Sequence, residues 1–316
     1  MCKVRLVLVG IKSKGGFHVK RVTLKALFVA LVVTMLVGTV GYAMEYNEHP
    51  ILAEMVEDGL LPPVGERLPK DVMIVEPVHT TGRYGGTARV FNAEAPAHPF
   101  AANMRMGSTG SFRSSIDAKP GVPNVMKGYD VNDNFTEWTF YLREGLKWSD
   151  GQPLTAQTYY EYWRYDRANP EINAGINLDD VTIEDNAVTF YNEDGGRRTI
   201  KREVIDDYTI RYTTDLPFPA LINRFSHPVG GWDYYIQPMH FLKQFHPDFV
   251  GIEAAAAKAA QAGFDNWYQL YEYFTNRQGQ QTVSQVLGNF PPTLEAYVLV
   301  SKTQTVMVYE RNPYYF

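Results

Sequence analysis

The sequence predicts an α/β fold, a mixed sheet with flanking helices and a small antiparallel subdomain, and three observations carry that prediction. Trp138, Phe140 and Leu142 alternate with Thr139, Tyr141 and Arg143, the period-2 pattern of a strand with one buried face, and a turn and a helix start follow directly. Residues 181–184, 187–191 and 208–213 read as short strands in an antiparallel patch beside the main sheet. Residues 251–276 read as helix, because 254–262 are rich in alanine and Trp267, Leu270, Tyr271 and Phe274 recur at i, i+3, i+4 and i+7. The chain has 316 residues, 45% of them hydrophobic, enough for one large or two ordinary domains at about 100–200 residues per domain.

Taken in order, residues 45–66 form a short amphipathic helix through Ile51, Leu52, Met55 and Val56, ending at Gly59 and a Leu-Pro-Pro turn. Residues 84–92 are the first core strand. Residues 95–128 are rich in Gly, Ser, Pro and Ala and show little periodicity. After the strand at 137–142, Ser149-Asp150-Gly151 supplies a side-chain acceptor and a permissive φ for a turn, and Pro153 stiffens the chain beyond it. Thr155 is placed to N-cap a helix whose buried face is Ala156, Tyr159, Tyr160 and Trp163. Residues 192–196, Asn-Glu-Asp-Gly-Gly, are a connecting turn, Gly263 divides the later helical region in two, and 296–301 and 305–310 make a hairpin.

The run Thr139-Phe140-Tyr141-Leu142-Arg143-Glu144-Gly145-Leu146-Lys147-Trp148-Ser149-Asp150-Gly151-Gln152-Pro153-Leu154-Thr155-Ala156 resembles the "TFxLRxGxKWSDGxPxTA" segment of the bacterial extracellular solute-binding proteins, family 5. Three further stretches agree in order: Gly85-Gly86-Thr87-Ala88-Arg89 with an opening "GGTLR" strand, Val204 to Ile210 with "VxxxDDYTV", and Glu310-Arg311-Asn312-Pro313-Tyr314-Tyr315 with "ERNPxYW". Family members bind peptides, opines or nickel and feed ABC importers. The resemblance covers about residues 60–316. It implies a lobe of the periplasmic-binding-protein type II kind, with the second lobe absent, because in the family the last of these motifs precedes the crossing between lobes. On that reading residues 84–316 are a partial family 5 domain and 44–83 an N-terminal helix and linker. The chain is then expected to be truncated, with apolar surface left uncovered.

Residues 1–43 read as a secretory signal peptide with a mis-called N-terminal extension. Lys20, Arg21 and Lys25 precede the uncharged apolar run 26–38, and Gly41-Tyr42-Ala43 offers small residues for cleavage after Ala43. That run is short for a membrane span, which needs about 20 apolar residues. Cys2, the one cysteine, precedes the run and cannot carry a lipoprotein anchor, so the mature chain has neither disulfide nor thiol chemistry. The expected location is the periplasm.

The net charge of −5 gives no electrostatic reason to expect nucleic acid as a partner. The expected partners are a peptide or small-molecule ligand and the ABC permease subunits of the inner membrane, the protein being a monomer when complete. Candidate ligand contacts are Asn92 and Glu94, just after the first strand, and Trp232, Asp233 and Tyr234, after Gly230-Gly231, since loops at strand ends are where open α/β sheets bind ligands. The same positions suit ordinary loop packing. His227, His240 and His246 each abut a turn signal and match no compact metal-ligand spacing, so no metal or other cofactor is expected. Asp179-Asp180 and Asp206-Asp207 are adjacent pairs whose side chains point apart, unsuited to acid and base work. No Gly-x-Ser-x-Gly elbow or phosphate-binding loop occurs, and the chain reads as a non-enzyme. Ser108, Ser114 and Ser115 with Arg105 and Arg113 could meet an anion but fit a solvated loop. The expected function is capture of an oligopeptide or similar solute for delivery to the permease. A non-binding remnant or interaction module is the alternative, and a secreted metal-dependent hydrolase a more distant one.

Overall fold

The computed structural model describes residues 46–77, 79–89, 110–115, 117–173, 178–191, 199–226, 236–275, 290–303 and 306–316. The chain divides into two compact units, Met1–Asn47 and Glu48–Phe316, and the described helices and strands all belong to the second. No helix among the described residues is long and apolar enough to cross a membrane.

Helix α1 (Pro50–Glu57) forms where the amphipathic pattern places it, with Pro50 at its first position and His49 Nδ1 accepting from Ile51 N–H at 3.2 Å. It ends at Gly59, φ +71°. A single turn, α2 (Val64–Arg67), follows. The strand expected over 84–92 is absent from its described part. Residues 84–89 are exposed and outside any sheet, and Gly85 and Gly86 take φ values of +115° and +77°, which bend the backbone out of the β region. Positions 90–92 lie outside the described residues.

A two-residue pair, β1 (Phe112–Arg113) with β2 (Val122–Pro123), leads into the main sheet. That sheet contains β3 (Met126–Val131), β4 (Glu137–Leu142), β5 (Val181–Ile183), β6 (Ala187–Tyr191), β7 (Thr199–Asp206) and β8 (Thr209–Thr214) in the order β3-β4-β8-β7-β6-β5. Every pairing in it is antiparallel. The patch anticipated at 181–213 is therefore continuous with the strand at 137–142, and β3 and β7 complete it. The turn expected at 192–196 lies outside the described residues.

One face of this sheet is apolar, as period-2 strands with one wet side require. Trp138, Tyr212, Arg202 and Val188 are successive cross-strand partners and share that face, all buried. Phe140 and Ile210 form the next row. The opposite face carries Thr139, Tyr141, Lys201, Glu203 and Arg211, with Tyr141 Oη donating to Asp130 at 2.7 Å.

The helices cover the apolar face in two groups. Helix α3 (Ala156–Glu161) continues as a π-helical turn, Tyr162–Arg167, and its predicted face of Ala156, Tyr159, Tyr160 and Trp163 is buried. With α4 (Leu221–Ser226) it closes one core around Phe112, Trp138, Phe140, Leu154 and Phe225. The second core is helical. It is built by the π-turn, α5 (Met239–Leu242), the 3₁₀ turn Lys243–Phe245, α6 (Pro247–Val250), α7 (Ile252–Gln261) and α8 (Trp267–Thr275). Gly263, φ +85°, separates α7 from α8, and Trp267, Leu270, Tyr271 and Phe274 all point inward as their spacing requires. Strands β9 (Tyr297–Lys302) and β10 (Met307–Arg311) form a separate hairpin.

Candidate functional site

Asn92, Glu94, Trp232, Asp233 and Tyr234 lie outside the described residues, as do His227, Arg105 and Ser108. The structure does describe the chain on either side of the stretches that hold them. Gly110 follows residues 90–109, and its carbonyl accepts from Asn124 Nδ2 at 2.6 Å. A few residues on, Ser114 Oγ donates to the Ser226 carbonyl at 3.2 Å. Ser226 ends α4, immediately before residues 227–235. Its buried hydroxyl donates to the Ile222 carbonyl and accepts from the Gly121 N–H, both at 2.8 Å. Gly121 has φ +82°, and a Cβ there would meet the Tyr129 ring at 3.2 Å and Ile222 at 3.3 Å, so glycine is needed both for its conformation and for the close approach. Past residues 227–235, Ile236 packs against both cores and Gln237 Nε2 donates to the Thr275 carbonyl at 3.4 Å, where α8 stops before residues 276–289. The seam Gly110–Ser114–Ser226 and the seam Gln237–Thr275 thus tie the ends of three chain stretches to one scaffold.

A second convergence involves the motif segments themselves. Gly151 closes the turn after Trp148 with φ +84°, directly beneath the Tyr314 ring. Ser149 N–H donates to the Thr293 carbonyl and Ser149 Oγ accepts from Thr293 N–H, each at 3.0 Å. Asn312 Nδ2 donates to the Glu295 carbonyl at 2.9 Å and to that of Thr293 at 3.3 Å, while its Oδ1 accepts from Tyr314 N–H. Arg67, fully buried, pairs with Glu48 and donates to the Pro62 and Pro313 carbonyls. Two of the motif segments, 139–156 and 310–315, are therefore held to the same stretch, Thr293 to Glu295, by backbone-directed hydrogen bonds, a structural use of these groups.

At the rim of this cluster, half-exposed Asp150 and His240 pair at 2.8 Å beside the Trp148 ring. Burial pushes the Asp150 carboxyl up, but hydrogen bonds from His240 and Gln152 N–H outweigh it and hold the group below the usual carboxylate range. His246 is buried, its Nδ1 accepting from Asp248 N–H at 3.2 Å. No cluster of His, Cys, Asp or Glu able to hold a metal occurs among the described residues. Arg113 is taken up by Asn124 Oδ1 at 3.0 Å and by Met73 Sδ. Asp206 accepts from Tyr208 N–H to close the β7–β8 turn, while Asp179 and Asp180 sit exposed on a 3₁₀ turn. The buried Arg67 and Ser226 escaped the sequence reading, and Asn312 was read only as part of a motif, since each has a decisive partner remote in the chain.

A family model described as bacterial extracellular solute-binding proteins, family 5 Middle, matches residues 121–316. The periplasmic alpha-galactoside-binding protein of Rhizobium meliloti is 28% identical over 291 residues, which is 86% of this chain and 36% of that relative. The glutathione-binding protein GsiB of Salmonella typhimurium is 32% identical over 142 residues, 43% of this chain and 24% of that relative. Among solved structures, an oligopeptide-binding protein OppA superposes with a TM-score of 0.69 at 28% identity, over 89% of this chain and 40% of that one. The chain thus spans between a quarter and two fifths of the length of these relatives.

Proposed function

We propose, from the premise that this chain belongs to family 5 of the bacterial extracellular solute-binding proteins, that it captures a solute in the periplasm and delivers it to the permease of an ABC importer. The observation that carries the reading is the family match, which runs over residues 121–316 and takes in both sheet and helices. The chemistry is binding without turnover. Relatives named for binding α-galactosides, glutathione and oligopeptides support a solute that is polar and rich in hydrogen-bonding groups. A signal peptide ending at Ala43 delivers the chain to the periplasm, and it acts without a metal or other cofactor.

The proposed ligand contacts are Asn92, Glu94, Trp232, Asp233 and Tyr234. Support comes from the first seam: Ser226, just before 227–235, accepts a hydrogen bond from Ser114, a few residues after 90–109. An aromatic face at Trp232 with a carboxylate at Asp233 suits sugar hydroxyls or a peptide ammonium. The test is thermal denaturation of the full chain with stachyose, glutathione or a short oligopeptide, repeated with Trp232→Ala. A solute at ~100 times its Kd adds about 2.7 kcal/mol of stability to a true binder. Trp232→Ala should leave the unliganded melting temperature unchanged and remove most of the ligand-dependent rise. An undiminished rise in the variant would take Trp232 out of the site.

A further inference from the structure

Two buried ionisable groups that binding does not use meet at one joint of the helical core. Asp166 lies on the π-turn and is 3% exposed, and among the described residues no cation forms an ion pair with it. His246, 1% exposed, caps α6 from the other side. The joint is small. His246 Nε2 lies 3.2 Å from the carbonyl of Tyr165, the residue before Asp166, and the His246 ring packs edge-on against Trp267 and Tyr271 of α8.

Geometry selects the tautomer of the neutral histidine. Asp248 N–H points at Nδ1, which must present a lone pair, so the neutral ring carries its proton on Nε2, which lies 3.2 Å from both the Tyr165 carbonyl, its acceptor, and Asn169 Nδ2. A second proton on Nδ1 would set donor against donor and remove the cap. Asp166 is in the converse position: a charge there would be buried, beside the hydroxyl of Tyr271, with no ion pair to a cation among the described residues.

We propose that Asp166 and His246 are a pH-compensating pair, buried neutral together, so that opening the joint releases one proton from the carboxyl and takes up one at the imidazole. The two changes cancel, and the joint keeps its strength across mildly acidic pH. The groups that face each member fit this. Arg167 on the π-turn favours charge on Asp166, but burial, with Glu272 opposing from α8, raises its carboxyl from 3.8 to about 7. Around His246, burial lowers the imidazole from 6.5, and Arg164 of the π-turn adds to it, against Asp248 of α6 and the Tyr165 carbonyl. Tyr271, completely buried between them and raised by that burial, with Asp166 and Tyr162 adding, stays neutral.

The two contributions have opposite signs. A raised carboxyl stabilises the closed joint fully below pH 3.8 and loses that stability as pH rises to about 7. A lowered imidazole stabilises it above pH 6.5 and loses that stability as pH falls. Between these limits the slopes oppose. The device also bears on the seams, because α8 ends at the Thr275 carbonyl that holds Gln237.

The test is native-state hydrogen exchange of the full chain at the Asp248 and Ala168 amides, with opening constants corrected for intrinsic exchange, at several pH values from 4.5 to 6.5. Asp166→Asn should make opening several-fold commoner for each unit that pH falls below 6.5. His246→Asn, which keeps a capping acceptor, should make opening up to about tenfold commoner for each unit that pH rises. Wild type and the double variant should both stay nearly flat. A wild type that already has either single-variant slope, or single variants that stay flat, would overturn the pairing. NMR of the wild type keeps the idea open to refutation should a variant not fold: at pH 5.5 His246 must appear as the neutral Nε2–H tautomer and Asp166 as the protonated acid, and a charge on either contradicts it.

Discussion

Gly151 illustrates how a single residue connects motif to fold. Its φ of +84° belongs to the left-handed region, and a Cβ would lie 2.9 Å from the Tyr314 hydroxyl. Gly151→Ala is therefore expected to cost at least about 1–2 kcal/mol from backbone strain alone, read as a lower midpoint in urea with an unchanged m-value. An unshifted midpoint would mean that the turn relaxes freely. The sequence marked this glycine as a turn residue, but not the aromatic ring above it, which comes from a motif at the far end of the chain. Buried charges were illegible for the same reason. Arg143 donates to the Asn124 and Asp71 carbonyls at 2.6 and 2.7 Å, and the Arg202 guanidinium lies 3.3 Å from the centre of the Trp163 ring. On strands of alternating polarity both positions read as ordinary residues. Their burial depends on acceptors and π-faces supplied by other elements.

Among the elements, those with a clear period were legible and those that depend on a partner were not. Strand β4, helices α7 and α8 and the β9–β10 hairpin all lie within a few residues of their expected positions, and helix α1 falls inside its expected span 45–66 but occupies only Pro50–Glu57, because each carries its own periodicity and end signals. Strand β3 was missed: Met126-Lys127-Gly128-Tyr129-Asp130-Val131 has weak alternation, and its ladder with β4 includes a register shift at Gly128. The π-turn was invisible too, since nothing local distinguishes it from the helix it extends. The expected strand at 84–92 failed in its described part for the opposite reason, its strand-like composition outweighed by two glycines at positive φ. Helix α4 carries the prediction at this scale. Ser226→Ala removes the acceptor of the Gly121 N–H and is expected to destabilise the protein by about 1–3 kcal/mol. Ser226→Thr, which keeps the hydroxyl, should recover part of that loss in the same denaturation series. Equal losses in both variants would show that packing, not the hydrogen bond, governs the seam.

Across the whole molecule, the chain reads as a scaffold. A one-sided antiparallel sheet and two cores hold the ends of several chain stretches together through Ser114–Ser226 and Gln237–Thr275. Family membership was legible from four ordered motifs, and two of them, 139–156 and 310–315, meet around Gly151, Thr293 and Asn312, where their side chains serve the fold. The candidate contacts were legible only as loop positions, because the hydrogen bond that brings their flanks together spans 112 residues of sequence and no local pattern announces it. The central claim, that this chain captures a solute, is tested most directly by isothermal titration calorimetry of the full chain with stachyose, glutathione and a short oligopeptide. The expected result is a saturable isotherm with one site per chain for one of these classes, and no heat beyond dilution for the other two. Dilution heat alone for all three, from a sample that unfolds cooperatively, would contradict it.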